Sequence, residues 1–135
     1  MTALSADRNT PNRSGEDFVR DVAAGVKIFA GAIVALNATG FATPGATSTT
    51  LKALGRAEEQ VDNTGGADGA VTVKVRRGLF RFANSAAADE ITAADIGNDC
   101  YIVDDQTVAK TSGTSTRSIA GKIRDVDALG VWVEF

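Results

Sequence analysis

Val71-Thr72-Val73-Lys74-Val75-Arg76-Arg77-Gly78-Leu79-Phe80-Arg81-Phe82 is the stretch whose reading decides the fold. Val71, Val73 and Val75 alternate with Thr72, Lys74 and Arg76, which gives one apolar and one wet face. A two-residue period belongs to a half-buried β-strand, and β-branched Val and Thr favour the pleated backbone. Beyond Gly78 the large apolar residues are Phe80 and Phe82, so the apolar face has moved from odd to even positions. One extra residue changes that parity, and Arg77-Gly78 is the place for a bulge or sharp bend because glycine tolerates unusual dihedrals. A strand bent in this way can leave one sheet and enter another, as small barrels and sandwiches require.

Outward from this stretch, the flanking segments read as further short strands. Val26–Phe29 and Ala32–Leu36 are strand-length apolar runs on either side of a turn at Ala30-Gly31. Asn37–Gly40 is a second turn and Phe41–Thr43 the return strand, a β-meander in all. Thr50–Ala57 is too short for a stable isolated helix and is read as a strand, with Glu58–Asp62 continuing it as a charged edge. Residues 63–69 form a flexible glycine-rich loop. Those glycines lack the Gly-Lys-Ser/Thr ending and following helix that a phosphate cradle needs.

On the other side, Asn84–Asp89 reads as a small-residue linker. Ile91–Gly97 reads as one helical turn, with Thr92 as cap, Asp95 at the capping-box spacing and Gly97 as its stop. Tyr101–Val103 and Thr107–Ala109 are strands about an Asp104-Asp105-Gln106 turn, and Lys110–Ser118 is a Thr/Ser/Gly loop. A final hairpin joins Ile119–Val126 to Val131–Phe135. Val131, Val133 and Phe135 share one of its faces, Trp132 and Glu134 the other. Truncating Trp132 to alanine costs about 3–5 kcal/mol if its ring is core. If the ring lies at a subunit contact, truncation instead spares the fold and impairs assembly.

The totals set bounds. The chain has 135 residues, 44% of them hydrophobic, and a net charge of −3. Its mean hydropathy is −0.02 and its isoelectric point is near 4.9. This suits one soluble domain and argues against general nucleic-acid binding, which needs a basic surface. No apolar stretch approaches membrane-spanning length, and Met1–Glu16 lacks the pattern of a signal peptide, so the chain is expected to be made in the cytoplasm. There is no histidine and one cysteine, Cys100. Cys100 precedes an apolar strand and lacks a histidine base, so it reads as a buried thiol rather than a nucleophile. The pairs Glu58-Glu59, Asp89-Glu90 and Asp104-Asp105 fall at turns or charged edges. No catalytic, cofactor-binding or metal-ligating position emerges, and the chain is expected not to be an enzyme.

Residues Thr2–Asp17 are small and polar, with too little apolar surface to offset the entropy of ordering. The expected organisation is therefore a flexible arm over 1–17 and a β-rich domain over 18–135. Thr2, Leu4, Arg8, Pro11 and Arg13 of the arm, Phe18 at its root, and Trp132 are the candidate interaction residues.

The order of the pieces carries a resemblance. Gly25-Val26-Lys27-Ile28-Phe29-Ala30-Gly31-Ala32-Ile33-Val34-Ala35-Leu36-Asn37 resembles the opening strands of capsid cement (head decoration) proteins of tailed bacteriophages and Mu-like prophages. Gly78-Leu79-Phe80-Arg81-Phe82, Ile91-Thr92 with Asp95-Ile96-Gly97, and Cys100 through Val108 are similar too. So is the ending, Ala120-Gly121-Lys122-Ile123 to Gly130-Val131-Trp132-Val133. The likeness spans roughly Asp21 to Phe135 and consists of patterns of small and apolar residues. It implies a mainly β fold, a small single-domain barrel or sandwich-like body of β-tulip type with one short helical turn and an extended N-terminal arm. It also implies a structural virion protein that binds the outer surface of an assembled icosahedral capsid. The partners would be the major capsid protein and itself, as a homotrimer, with no cofactor, no direct nucleic-acid contact and no membrane. The arm would lie along the shell or add a strand to a neighbour's sheet. Another virion part, a head–tail joining or tail-tube subunit, is the alternative. A glycan- or ligand-binding β-barrel is the weakest reading, since Tyr101 and Trp132 each stand alone of their kind.

Overall fold

Val73 and Val75 of the opening stretch are buried and so is Phe82 beyond them, but in different places. Val73 and Val75 belong to one hydrophobic core, and Phe82, with Phe80 packed against it, to another. The structure, a computed structural model, describes residues 2–11, 13 and 15–135. Its strands in the first half are β1 (Asp17–Asp21), β2 (Lys27–Ile28), β3 (Ile33–Leu36), β4 (Ala42–Pro44), β5 (Lys52–Ala57), β6 (Val61–Asp62) and β7 (Thr72–Arg76). The second half holds β8 (Leu79–Asn84), β9 (Asp99–Ile102), β10 (Thr107–Ala109), β11 (Ile119–Asp127) and β12 (Gly130–Glu134).

Strands β8 to β12 form a closed five-stranded barrel in the order β10-β8-β12-β11-β9, with β10 pairing β9 to complete the ring. The first half forms a five-stranded sheet in the order β1-β7-β5-β3-β4, beside a two-stranded β2-β6 ribbon. This sheet curls almost onto itself. Val22, just after β1, bridges Ala42 of β4, and the Ala23 N–H donates to the Ala42 carbonyl at 2.9 Å.

Strand β3 is why the two lobes form one body. Its apolar residues are consecutive rather than alternating, which marks a strand covered on both faces. Ile33 and Ala35 enter the barrel core with Ile102, Ile123 and Val133, whereas Val34 enters the other core with Ile28 and Val75. Loop contacts lock the same seam. The Ile33 N–H donates to the Asp105 carbonyl at 2.8 Å, and Ser118 Oγ accepts from the Leu51 N–H at 3.1 Å while donating to the Ser48 carbonyl.

Several local expectations need correction. The bend at Arg77-Gly78 is a complete break: β7 ends in the open sheet and β8 begins in the barrel, with Gly78 at φ 152°. The meander holds only for β3 and β4. Strand β2 turns away to pair β6, so Glu58–Asp62 does not continue β5 but leaves it. The 84–89 linker carries a second one-turn 3-10 helix, Ala87–Asp89, besides the expected one at Ala93–Asp95. At the latter the Asp95 carboxylate accepts from the Thr92 N–H at 2.8 Å, the side-chain half of a capping box.

The glycine-rich loop is built around a buried amide. Asn63 is 3% exposed, and its Nδ2 donates to the carbonyls of Ala23 at 2.8 Å and Ala67 at 3.0 Å. Polar side chains at such depth persist when their hydrogen bonds are met, and here they tie the loop to the segment after β1.

Candidate interface: the β1 edge and the cleft between the lobes

Asp17-Phe18-Val19-Arg20-Asp21 alternates exposed and half-buried residues along β1, with Phe18 and Arg20 on the inner side. The strand pairs β7 antiparallel, Asp17 opposite Arg76 and Asp21 opposite Thr72. The Arg77 N–H donates to the Glu16 carbonyl at 2.7 Å, and the Val22 N–H to the Val71 carbonyl at 3.0 Å. Backbone groups in an antiparallel ladder alternate in direction. Even-numbered residues of this strand therefore face β7, and the N–H and C=O groups of Asp17 and Val19 face outward. The Val19 carbonyl accepts from the Arg20 guanidinium, and the bridge of Val22 to Ala42 closes the Asp21 end. This is an open sheet edge, with Val19 52% exposed at its centre. An open edge is a template for another strand.

The arm feeds directly into this edge. Thr2, Leu4, Arg8, Pro11 and Arg13 are all exposed, and within the arm the Thr10 N–H donates to the Arg8 carbonyl at 3.1 Å. Asp17, the last residue of the expected arm, is already the first of β1. Arg76 holds it at 2.9 Å, and that hydrogen bond keeps the Asp17 carboxyl below its usual range.

Behind β1, where the open sheet meets the barrel, lies a cleft of about 470 Å³. Phe18, Leu54 and Phe135 supply apolar lining, and Arg13, Arg20 and Arg77 border it. Arg20 is positioned by its neighbours: its guanidinium lies 4.6 Å from the Phe18 ring centroid and donates to the Val19 carbonyl at 3.0 Å. Cationic groups over aromatic faces are attracted by the ring quadrupole.

Of the expected interaction residues, Arg13 and Phe18 thus meet at the cleft. Trp132 does not. It sits half-buried on the outer barrel wall, paired across β8 with Arg81, whose guanidinium lies 5.6 Å from its ring. Its Nε1 donates to Asp127 Oδ2 at 3.0 Å, and that bond is the first cause of the lowered Asp127 pKa. The core position considered for Trp132 is therefore corrected: side chains of β12 alternate, and Val131 and Val133 take the inside.

Sequence reading missed Arg20, Arg77 and Leu54. The five-residue alternation of β1 was the available signal for Arg20, but Arg77 joins the cleft only because the chain changes sheets beside it.

The remaining chemistry is quiet. Burial pushes the Cys100 thiol up to about 12. Asp104, one of the paired turn carboxylates, caps its own turn by accepting from the Gln106 and Thr107 N–H groups at 2.9 and 2.7 Å. Among the described residues no group of three His, Cys, Asp or Glu side chains is placed to hold a metal ion, and no helix is long and apolar enough to cross a membrane. In comparisons with known proteins, no family model, no curated protein and no solved structure matches this chain.

Proposed function

We propose that this chain is a structural adhesion module of an assembled particle. More specifically, we read it as a capsid cement protein that binds the outer surface of an icosahedral phage shell. The observation that carries the reading is the exposed arm running straight into a sheet edge that, among the described residues, no other strand pairs along Asp17–Val19, with Val19 exposed on it. Such an edge gains main-chain hydrogen bonds when a neighbour supplies a strand. A weak contact of this kind becomes strong when repeated across a shell. Self-association as a closed trimer would use one heterologous contact three times. The resemblance in the order of the sequence pieces supports the same reading.

The test is light scattering of the purified chain, alone and mixed with empty heads lacking their decoration. A monomer or trimer that saturates the heads and raises their melting temperature is the expected result. Rings or tubes forming without heads would favour a head–tail joining or tail-tube subunit. No association in either arm of the experiment would remove the reading.

A further inference from the structure

The chain is acidic overall, yet among the described residues three of its four arginines without a carboxylate partner are gathered in one place. Of nine arginines in the sequence, five have a carboxylate within 4.0 Å: Arg56, Arg76, Arg81, Arg117 and Arg124. The other four are Arg8 in the arm and Arg13, Arg20 and Arg77, and these last three border the cleft between the lobes. The carboxylates along the same walls are already engaged. Asp17 is held by Arg76 at 2.9 Å, Asp99 by Lys122 at 2.7 Å and Glu134 by Arg124 at 3.2 Å. Three guanidinium groups that have no carboxylate within 4.0 Å among the described residues therefore border an apolar floor.

We propose that this cleft receives an acidic extended peptide segment in which carboxylates flank an aromatic or aliphatic side chain. The apolar side chain would enter between Phe18, Leu54 and Phe135, and the carboxylates would meet the guanidinium forks of Arg20 and Arg77. Planar guanidinium matches carboxylate geometry bidentately, and the pairing is worth more beside a surface that excludes water. A polynucleotide fits less well. Its evenly spaced phosphates would pass Asp17, Asp99 and Glu134. The segment's source, the shell subunit, rests on the function proposed above; its chemistry does not.

The probe is a blocked pentapeptide in which glutamates flank one phenylalanine. Its glutamine-substituted twin and an oligothymidylate serve as comparisons. Binding is read from backbone amide shifts of the full chain at Phe18, Leu54 and Gly121. The glutamate peptide is expected to move these amides, more weakly as salt rises, and the glutamine twin to leave them in place. Arg20→Gln with Arg77→Gln should weaken binding at least tenfold, and Arg77→Gln alone, at an exposed position, should weaken it measurably. Arg81→Gln, which removes a charge already paired with Asp127 on the outer barrel wall, should leave it unchanged. Preference for the oligothymidylate, equal binding of both peptides, or indifference to the Arg20/Arg77 changes would each overturn the proposal. Peptide binding without attachment to heads would uphold the cleft and remove the shell reading. Attachment to heads without peptide binding would do the reverse.

Discussion

Asn63 carries more structural duty than its place in a glycine-rich loop suggests. Its amide satisfies carbonyls of two segments far apart in sequence, and removing it leaves the buried Ala23 carbonyl without this donor. Asn63→Ala is expected to destabilise the fold by about 1–3 kcal/mol, read from urea denaturation. Trp132 offers a second handle, because it is the sole tryptophan and reports on Asp127. The folded pKa of Asp127 lies below its ordinary value of 3.8, so its contribution to stability is present above that value and is lost as pH falls through the lowered one. Indole fluorescence should therefore change with a midpoint below 3.8, and Asp127→Asn should abolish that step. Cys100 makes the complementary case: fully buried and pushed up to about 12, it should react with iodoacetamide at pH 8 only as fast as the protein opens.

At the scale of elements, glycines decide where strands turn and how closely they pack. Gly130 opens β12 at φ 154°, and a Cβ there would run into the Phe82 carbonyl oxygen of β8. Gly130→Ala combines backbone strain with a backbone clash and should cost about 3 kcal/mol or more, seen as a lowered melting temperature. The twelve strands were largely legible because period-two alternation survives in β7 and β12, and because Asn37–Gly40 and the Asp104 turn carry their own turn chemistry. Strand β1 was not read. Five residues with charged ends carry too little apolar signal, and its strand form depends on the β7 ladder beside it. The separate fate of β2 and β6 was hidden for the same reason, since two-residue strands are defined only by their partner.

For the whole molecule, the shared wall of β3 and β5 makes the lobes one mechanical unit, while the arm touches the body at the cleft, through Arg13, and at the root of β1. Removing residues 2–15 spares the Glu16 carbonyl that accepts from the Arg77 N–H, and Asp17 with its ion pair to Arg76, so the body should fold with an unchanged melting temperature. On the function proposed above, attachment to heads should fall at least tenfold by co-sedimentation, and undiminished attachment would take the arm out of the interface.

By itself the sequence determined that this chain is mainly β, that the strand path bends near Gly78, that Cys100 is buried, and that the N-terminal stretch has little to bury. Those properties follow from local period, turn chemistry and composition, which act over a few residues. The tertiary structure alone decided that two lobes share β3, that β1 presents an open edge, and that Arg13, Arg20 and Arg77 meet across one cleft. These follow from strand pairing between residues up to about sixty positions apart, as in Asp17 with Arg76. Such pairing is selected by burying two apolar faces at once, and a local pattern in the chain does not record it.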